Sequence, residues 1–75
     1  MENDKKRFLC KEDGFNIYES IDEYGRVHFY AYLNRKQVAH RAFYIENRDE
    51  KQMCIRFFVD QFAKRKAFQM TLTRT

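Results

Sequence analysis

The sequence contains no proline and no tryptophan, and its only glycines are Gly14 and Gly25. This composition excludes a collagen-like chain, a glycine/serine linker and a proline-rich disordered segment. No apolar run approaches the roughly 20 residues that a bilayer-spanning helix needs. The first ten residues are charged rather than apolar, unlike a secretory signal. We therefore expect a cytoplasmic protein with no membrane partner.

Metal-binding and catalytic patterns are also missing. Cys10 and Cys54 are too few for a disulfide scaffold, and with His28 and His40 they form neither a C-x-x-C nor an H-x₃-H pair. There is no glycine-rich phosphate loop, and no Cys/His arrangement signals an activated nucleophile. The sequence thus predicts a protein that is not an enzyme and has no metal site and no cofactor.

The 75 residues are 44% hydrophobic and 17% aromatic, which is too much for a wholly disordered chain. This length predicts one small domain over residues 1–75, with residues 1–5 frayed. The net charge is +4, and its distribution is uneven. Residues 26–45 carry four basic and no acidic side chains, whereas residues 1–25 carry seven acidic and four basic ones. A basic middle segment favours an anionic partner, either nucleic acid or an acidic protein face.

Alternating apolar and polar residues predict an antiparallel meander. Residues 7–11 form a short candidate strand, and the run from Phe15 to Ile21 alternates with a period of two. A turn at residues 22–25 uses Gly25 for a positive φ angle, and alternation resumes in residues 26–33. A second turn at 34–36 leads to a further strand over 37–45. The meander therefore has at least three long strands.

A helix over about residues 48–66 is the best-marked element. Asn47 can act as its N-cap, with Glu50 completing a capping box. Its core-facing stripe consists of Cys54, Ile55, Phe58, Val59 and Phe62. Residues 68–73 alternate again and suggest a final strand, with a continued helix as the alternative. The predicted fold is α+β, with an antiparallel sheet of three to five strands and one helix packed on one face.

The alternation also assigns side chains to the two faces of the sheet. Phe15, Ile17 and Phe29 face the helix, which sends their neighbours outward. If the turn pairs Leu33 with Gln37, Tyr30 lies opposite His40 and Tyr32 opposite Val38. Arg41 then points inward unless a bulge near residues 39–41 re-aims it. The candidate partner- or nucleic-acid-binding residues are Tyr18, Arg26, His28, Tyr30, Tyr32, Arg35, Lys36, His40 and Arg41.

An outer face of tyrosine and histidine with a basic rim suits stacking on bases together with phosphate neutralisation. It suits a protein interface equally well, and tyrosines are also common on solvated sheet faces. Met53 and Phe57 project from the polar side of the helix and mark a possible second interface or self-association site. Alternatively, Phe57 only flanks the core.

This order of elements resembles that of two known groups of proteins. The strands within residues 17–33, the turn Asn34-Arg35-Lys36, the strand ending Ala42-Phe43 and the capped helix resemble the arm-type DNA-binding domain of phage integrases. That resemblance implies DNA contacts through a three-stranded sheet, at Arg26, His28, Tyr30, Arg35, Lys36 and Arg41. The order of elements over residues 15–62 and the small size also resemble some phage-encoded anti-CRISPR proteins. Those are non-enzymatic inhibitors that bind host nuclease complexes.

The leading hypothesis is therefore a phage or mobile-element inhibitor that docks its aromatic and basic surface on a host protein or nucleoprotein complex. The high density of Tyr, Phe and Arg without a catalytic constellation favours it. Direct DNA binding through the sheet is the alternative. A third hypothesis is a homodimeric accessory protein that associates through Met53 and Phe57.

Overall fold

A computed structural model describes residues 5–68, which form a four-stranded sheet followed by a helix. The strands are β1 (Arg7–Glu12), β2 (Phe15–Ile21), β3 (Val27–Leu33) and β4 (Lys36–Phe43). They lie in the order β1-β2-β3-β4, and every neighbouring pair is antiparallel. The helix α1 begins with Arg48–Phe58, passes through a π-helical turn at Val59–Ala63 and continues to residue 68. The predicted α+β meander with a single helix is confirmed.

The core lies between the sheet and the helix. Ile17, Phe29 and Phe58 are each 0% exposed, and the ring centroids of Phe29 and Phe58 are 6.0 Å apart. The alternation in β2 and β3 that predicted this inner face is therefore correct at these positions. The full set of buried apolar residues is Phe15, Ile17, Phe29, Ala31, Val38, Ala39, Ile55, Phe58, Val59 and Ala63.

The end of β2 differs from the expected alternation. Ile21 is 65% exposed, whereas Glu19 is only 2% exposed on the inner face. The carboxylate of Glu19 accepts hydrogen bonds from Arg7 Nη2 at 2.7 Å and from Lys51 Nζ at 3.2 Å. A buried carboxylate needs such partners, and here β1 and the first turns of α1 each supply a cation. A cluster of charged groups around Glu19 therefore occupies the end of the inner face of β2, where the alternation predicted a further apolar side chain.

The connection from β3 to β4 is shorter than predicted. Leu33 pairs with Lys36, because Asn34 and Arg35 form a two-residue turn with φ angles of 53° and 68°. Tyr32 consequently faces Gln37 rather than Val38. One extra residue on β4, Val38, then forms a β-bulge, and beyond it the predicted opposition of Tyr30 and His40 is restored. The bulge thus compensates for the tighter turn.

The bulge does not change the direction of Arg41. This residue pairs with Phe29 and therefore belongs to the helix side of the sheet. Its guanidinium carbon lies 4.6 Å from the centre of the Phe62 ring. The charge stays in solvent because β4 is an edge strand and Arg41 is exposed. An inward direction therefore does not require burial of the arginine. The bulge predicted near residues 39–41 occurs at Val38, but it does not re-aim Arg41.

The ends of the helix also differ in detail from the prediction. Asn47 occupies the N-cap position, but its side chain makes no capping hydrogen bond. The carboxylate of Glu50 instead accepts from the backbone N–H of Glu46 at 3.2 Å. Phe68 is helical, so the predicted strand over 68–73 is wrong at its first residue, and residues 69–73 lie outside the described part.

Of the segment predicted to be frayed, 1–5, the structure describes only Lys5. Within residues 5–68, no helix is both long and apolar enough to span a bilayer.

Candidate interaction surface

The sheet surface opposite α1, called the outer face below, carries the tyrosines and histidines that the sequence singled out. Tyr18 pairs with Tyr30 across β2 and β3, and Tyr30 pairs with His40 across β3 and β4. His28 and Tyr32 are two residues either side of Tyr30 and point the same way. The structure therefore brings together Tyr18, His28, Tyr30, Tyr32 and His40.

One half of the outer face is built around Tyr18. The Tyr18 ring meets the ring of Tyr32 edge-to-face at a centroid distance of 5.2 Å. Phe8 on β1 contacts Tyr18 from the other side at 5.5 Å, again edge-to-face, and remains 57% exposed. Such contacts fix ring orientations and leave ring surface in solvent. Phe8 was not among the predicted site residues, although it lies within the short strand that the sequence predicted over residues 7–11.

The other half of the outer face is a stack of three parallel rings. His40 lies against Tyr30 at 4.7 Å with an interplanar angle of 11°, and against His28 at 5.1 Å with an angle of 7°. The three residues come from β3 and β4, where the cross-strand pairing places them side by side. The stack is consequently a direct result of the register beyond the Val38 bulge.

Hydrogen bonds connect this stack to Asp22, which the sequence suggested only as a turn residue. His28 Nε2 lies 2.9 Å from Asp22 Oδ2, and His28 Nδ1 lies 2.9 Å from His40 Nε2. Because a carboxylate only accepts, His28 carries a proton on Nε2. When both rings are neutral, His28 Nδ1 accepts from His40 Nε2–H, and the lone pair of His40 Nδ1 remains available as an acceptor for another molecule.

Asp22 is itself held by the turn that follows β2. Its Oδ1 accepts from the backbone N–H groups of Tyr24 at 2.9 Å and Arg26 at 3.0 Å, while Gly25 adopts a φ of 86°. This is an Asx-type turn, and its sequence signal is the aspartate that begins Asp22-Glu23-Tyr24-Gly25. Arg26 Nε also donates to Asp22 Oδ2 at 3.0 Å. The charge of Arg26 is therefore already paired.

These contacts shift two pKa values. The hydrogen bond from His28, reinforced by those from Arg26 and Tyr24, holds the pKa of Asp22 far below its usual range. Partial burial lowers the pKa of His40, and the nearby charges of His28 and Lys6 lower it further. At neutral pH the network therefore combines a carboxylate with a neutral, hydrogen-bonding imidazole at the surface.

Lys6, just before β1, lies across the middle of the outer face. Its Nζ is 4.4 Å from the centre of the Tyr30 ring and donates to the Tyr32 hydroxyl at 3.1 Å. The Tyr30 hydroxyl lies 3.2 Å from that of Ser20. An open hollow of about 630 Å³ adjoins this region, and its lining includes Ser20, Asp22, His28, Tyr30 and His40. Lys6 and Ser20 extend the predicted site.

The remaining predicted residues lie elsewhere. Arg35 and Lys36 are exposed at the β3–β4 turn, and Arg41 is on the helix side. Met53 is 70% and Phe57 49% exposed on α1. The Phe57 ring packs edge-to-face on Phe43 and Phe62, with centroid distances of 6.2 and 5.7 Å. A shallow groove of about 250 Å³ runs beside Met53 and Phe57. These two residues therefore form a separate patch from the outer face.

Groups able to bind a metal or act as a nucleophile are sparse in the described part of the chain. Residues 5–68 contain no cluster of three or more His, Cys, Asp or Glu side chains arranged around a common point. Burial raises the pKa of both the Cys10 and Cys54 thiols, with the carboxylates of Glu12 and Glu50 adding to the respective shifts. Both thiols are therefore protonated at neutral pH.

Neither a protein-family model, nor a curated protein, nor a solved structure matches this chain. Its function is consequently inferred from the chemistry of the outer face itself.

Proposed function

We propose that this protein is a non-enzymatic binding protein that docks its outer face on another protein. The observation that carries the proposal is the ordered set of aromatic and imidazole rings across β2, β3 and β4, with Tyr18, Tyr30 and His40 at its centre. Rings fixed before binding lose little conformational entropy on association, and tyrosine is prominent among residues that dominate interface energies.

The distribution of cations favours a protein over a DNA duplex as the partner of this face. The charge of Arg26 is paired with Asp22, and Arg41 extends on the helix side of the sheet. Lys6 is held against Tyr30 and Tyr32. Phosphate contacts supply much of the affinity of a DNA-binding surface, and few cations on this face point outward for that task. The DNA-binding alternative therefore has weaker support here.

We further propose that the partner is a host protein or nucleoprotein complex and that binding inhibits it. The support is the resemblance in size and element order to small phage-encoded inhibitors, together with the dense aromatic surface. We place this encounter in the cytoplasm, in keeping with free thiols at Cys10 and Cys54.

The test is an affinity measurement with alanine variants. A partner captured from host lysate by the tagged protein is identified, purified and titrated against wild type, Tyr30→Ala and Tyr32→Ala. We expect each variant to weaken binding by about 30-fold or more, as truncation of a central interface tyrosine does. Tyr44→Ala is the matched control, because Tyr44 is 72% exposed and lies beyond the end of β4.

The control should bind within about twofold of wild type, and circular dichroism should show all variants folded. Wild-type affinity in both Tyr30→Ala and Tyr32→Ala would remove the outer face from the interface and overturn the proposal. Loss of the partner's activity at stoichiometric protein would support the inhibitory role, and unchanged activity in the complex would contradict it.

A further inference from the structure

A groove separates β4 from the C-terminal half of α1, on the helix side of the sheet edge. Its volume is about 330 Å³, and its lining includes Ala39, Gln61, Phe62, Arg65 and Lys66. A second hollow beside Gln37, Val38 and Lys66 adjoins it along β4. Two backbone irregularities therefore border the groove, namely the Val38 bulge and the π-helical turn at Val59–Ala63. Both kinds of irregularity are common next to functional sites.

The cations around this groove have no carboxylate partners within residues 5–68. Several basic side chains elsewhere are paired with carboxylates, such as Arg7 and Lys51 with Glu19. The two segments that border the groove, residues 26–45 and 61–68, contain no acidic residue. Their unpaired basic residues are Arg35, Lys36, Arg41, Arg65 and Lys66. Positive charge is thus concentrated on one edge of a molecule whose net charge is only +4.

We propose that this groove binds the phosphodiester backbone of a nucleic acid strand. From Lys36 to Arg41 the edge strand extends about 17 Å, which is long enough to lie along several consecutive phosphates of a strand. Arginine, lysine and glutamine side chains are common donors to phosphate oxygens, and Gln61, Arg65 and Lys66 line the groove. Arg41 lies beside it, over the Phe62 ring.

The groove fits a phosphate backbone better than an acidic protein segment. A protein interface normally has an exposed aromatic or apolar anchor at its centre. The aromatic ring that lines this groove, Phe62, is covered on one face by Arg41 and packs against Phe57 and Phe58 on other sides. The polar groups that the groove offers are the charges of Arg65 and Lys66 and the amide of Gln61, which can bind a backbone without reading bases.

This inference goes beyond the proposed protein interface and concerns a different surface. His40 lies where the two surfaces meet, since it stacks on Tyr30 and also borders the groove. A partner protein on the outer face and a nucleic acid strand along the β4 edge are therefore compatible with one another. The two proposals also fail separately, because Tyr30 and Tyr32 test one and Arg65 and Lys66 test the other.

The probe is a fluorescein-labelled single-stranded oligo-dT of about 20 nucleotides. It is titrated with the full chain, and binding is followed by fluorescence anisotropy. For about four phosphate contacts, the affinity should fall roughly 50-fold between 50 and 200 mM salt. The double variant Arg65→Glu/Lys66→Glu should weaken binding by about tenfold or more at 50 mM salt. The matched control is Lys5→Glu/Lys11→Glu, which lowers the net charge by the same amount at exposed positions on β1 and just before it.

We expect the control to bind within about threefold of wild type, and Tyr32→Ala to bind like wild type. The proposal is overturned if wild type does not bind at 50 mM salt and about 100 μM protein, which is roughly the upper end of non-specific dissociation constants. Equal losses in the two charge-reversal variants would assign binding to overall charge and overturn it too. Poly-glutamate and oligo-dT are also competed at equal charge concentration. If poly-glutamate displaces oligo-dT but oligo-dT does not displace poly-glutamate, an acidic protein segment is the occupant instead.

Discussion

His28 and His40 face each other across β3 and β4, with Nδ1 of His28 2.9 Å from Nε2 of His40. Asp22 accepts from the other nitrogen of His28, so the carboxylate determines which nitrogen of each ring carries the proton. A turn residue thereby controls the hydrogen-bonding character of an imidazole on the neighbouring edge strand.

The first prediction concerns these tautomers. When both imidazoles are neutral, the two hydrogen bonds of His28 require that His28 and His40 each carry their proton on Nε2. Long-range ¹H–¹⁵N NMR spectra of the imidazoles distinguish the two tautomers directly. Asp22→Ala removes the acceptor and should shift His28 toward a mixture of tautomers. A dominant Nδ1–H form of His28 in the wild type would contradict the hydrogen-bond network.

The second prediction is a loss of stability on mild acidification. The pKa of His40 in the folded state lies below its unfolded value of 6.5, so the unfolded chain binds more protons as the pH falls. The free energy of unfolding should therefore be highest above pH 6.5 and decrease from there toward pH 5. For one proton the slope is at most about 1.4 kcal/mol per pH unit, and solvent screening of the partly exposed ring makes it smaller.

Urea unfolding at pH 7.5, 6.5, 5.5 and 5.0, read from circular dichroism, measures this slope. His40→Gln keeps a polar side chain but cannot titrate, and it should flatten the profile in this window. An unchanged profile in His40→Gln would assign the pH dependence to another group. Asp22 affects stability only at lower pH. Its pKa is depressed in the folded state, so the stability that its carboxylate adds is lost as the pH falls below its ordinary pKa of 3.8.

The third prediction concerns the buried carboxylate of Glu19. Lys51→Met removes a cation whose Nζ lies 2.9 Å from Glu19 Oε1 and leaves that oxygen without compensation. We expect a loss of about 1–3 kcal/mol in the free energy of unfolding at pH 7. Arg56→Met is the matched control, because its pair with Glu12 at 3.3 Å is exposed, and it should cost less than about 1 kcal/mol.

The double variant Glu19→Met/Lys51→Met separates charge burial from lost packing. Replacing both members of a buried pair by apolar side chains is often neutral, so this variant should be more stable than Lys51→Met alone. Chemical denaturation of the three variants and wild type provides the comparison. A double variant that is less stable than Lys51→Met would show that Glu19 contributes through contacts other than its charge.

The alternation of residues predicted the sheet and the sidedness of its faces because one face is buried and a register slip would expose the core. Phe29 and Ala31 face the helix, and Tyr30 faces outward, as the period of two requires. The helix could be predicted from its apolar stripe, in which Ile55, Phe58 and Val59 are all buried. These elements are determined by local pattern, which a single sequence contains.

The remaining features depend on tertiary partners that local patterns do not contain. Glu19 is buried because Lys51 and Arg7 reach it from distant parts of the chain. The Val38 bulge depends on how Asn34-Arg35 turns, and non-glycine residues with positive φ are hard to anticipate there. Asp22 resembled an ordinary turn aspartate, because its bond to His28 requires the register of β2 and β3.

The last prediction concerns Phe57 and Met53, and it decides between a core-flanking role and a homodimer interface. The Phe57 ring is half exposed and packs on Phe43 and Phe62, so Phe57→Ala should reduce the free energy of unfolding by about 1–2 kcal/mol. Met53 is 70% exposed, and Met53→Ala should stay within about 0.5 kcal/mol of wild type. If Phe57 flanks the core, both values are independent of protein concentration. A melting temperature that rises with concentration in wild type, and no longer rises in Met53→Ala, would instead identify this patch as a self-association surface.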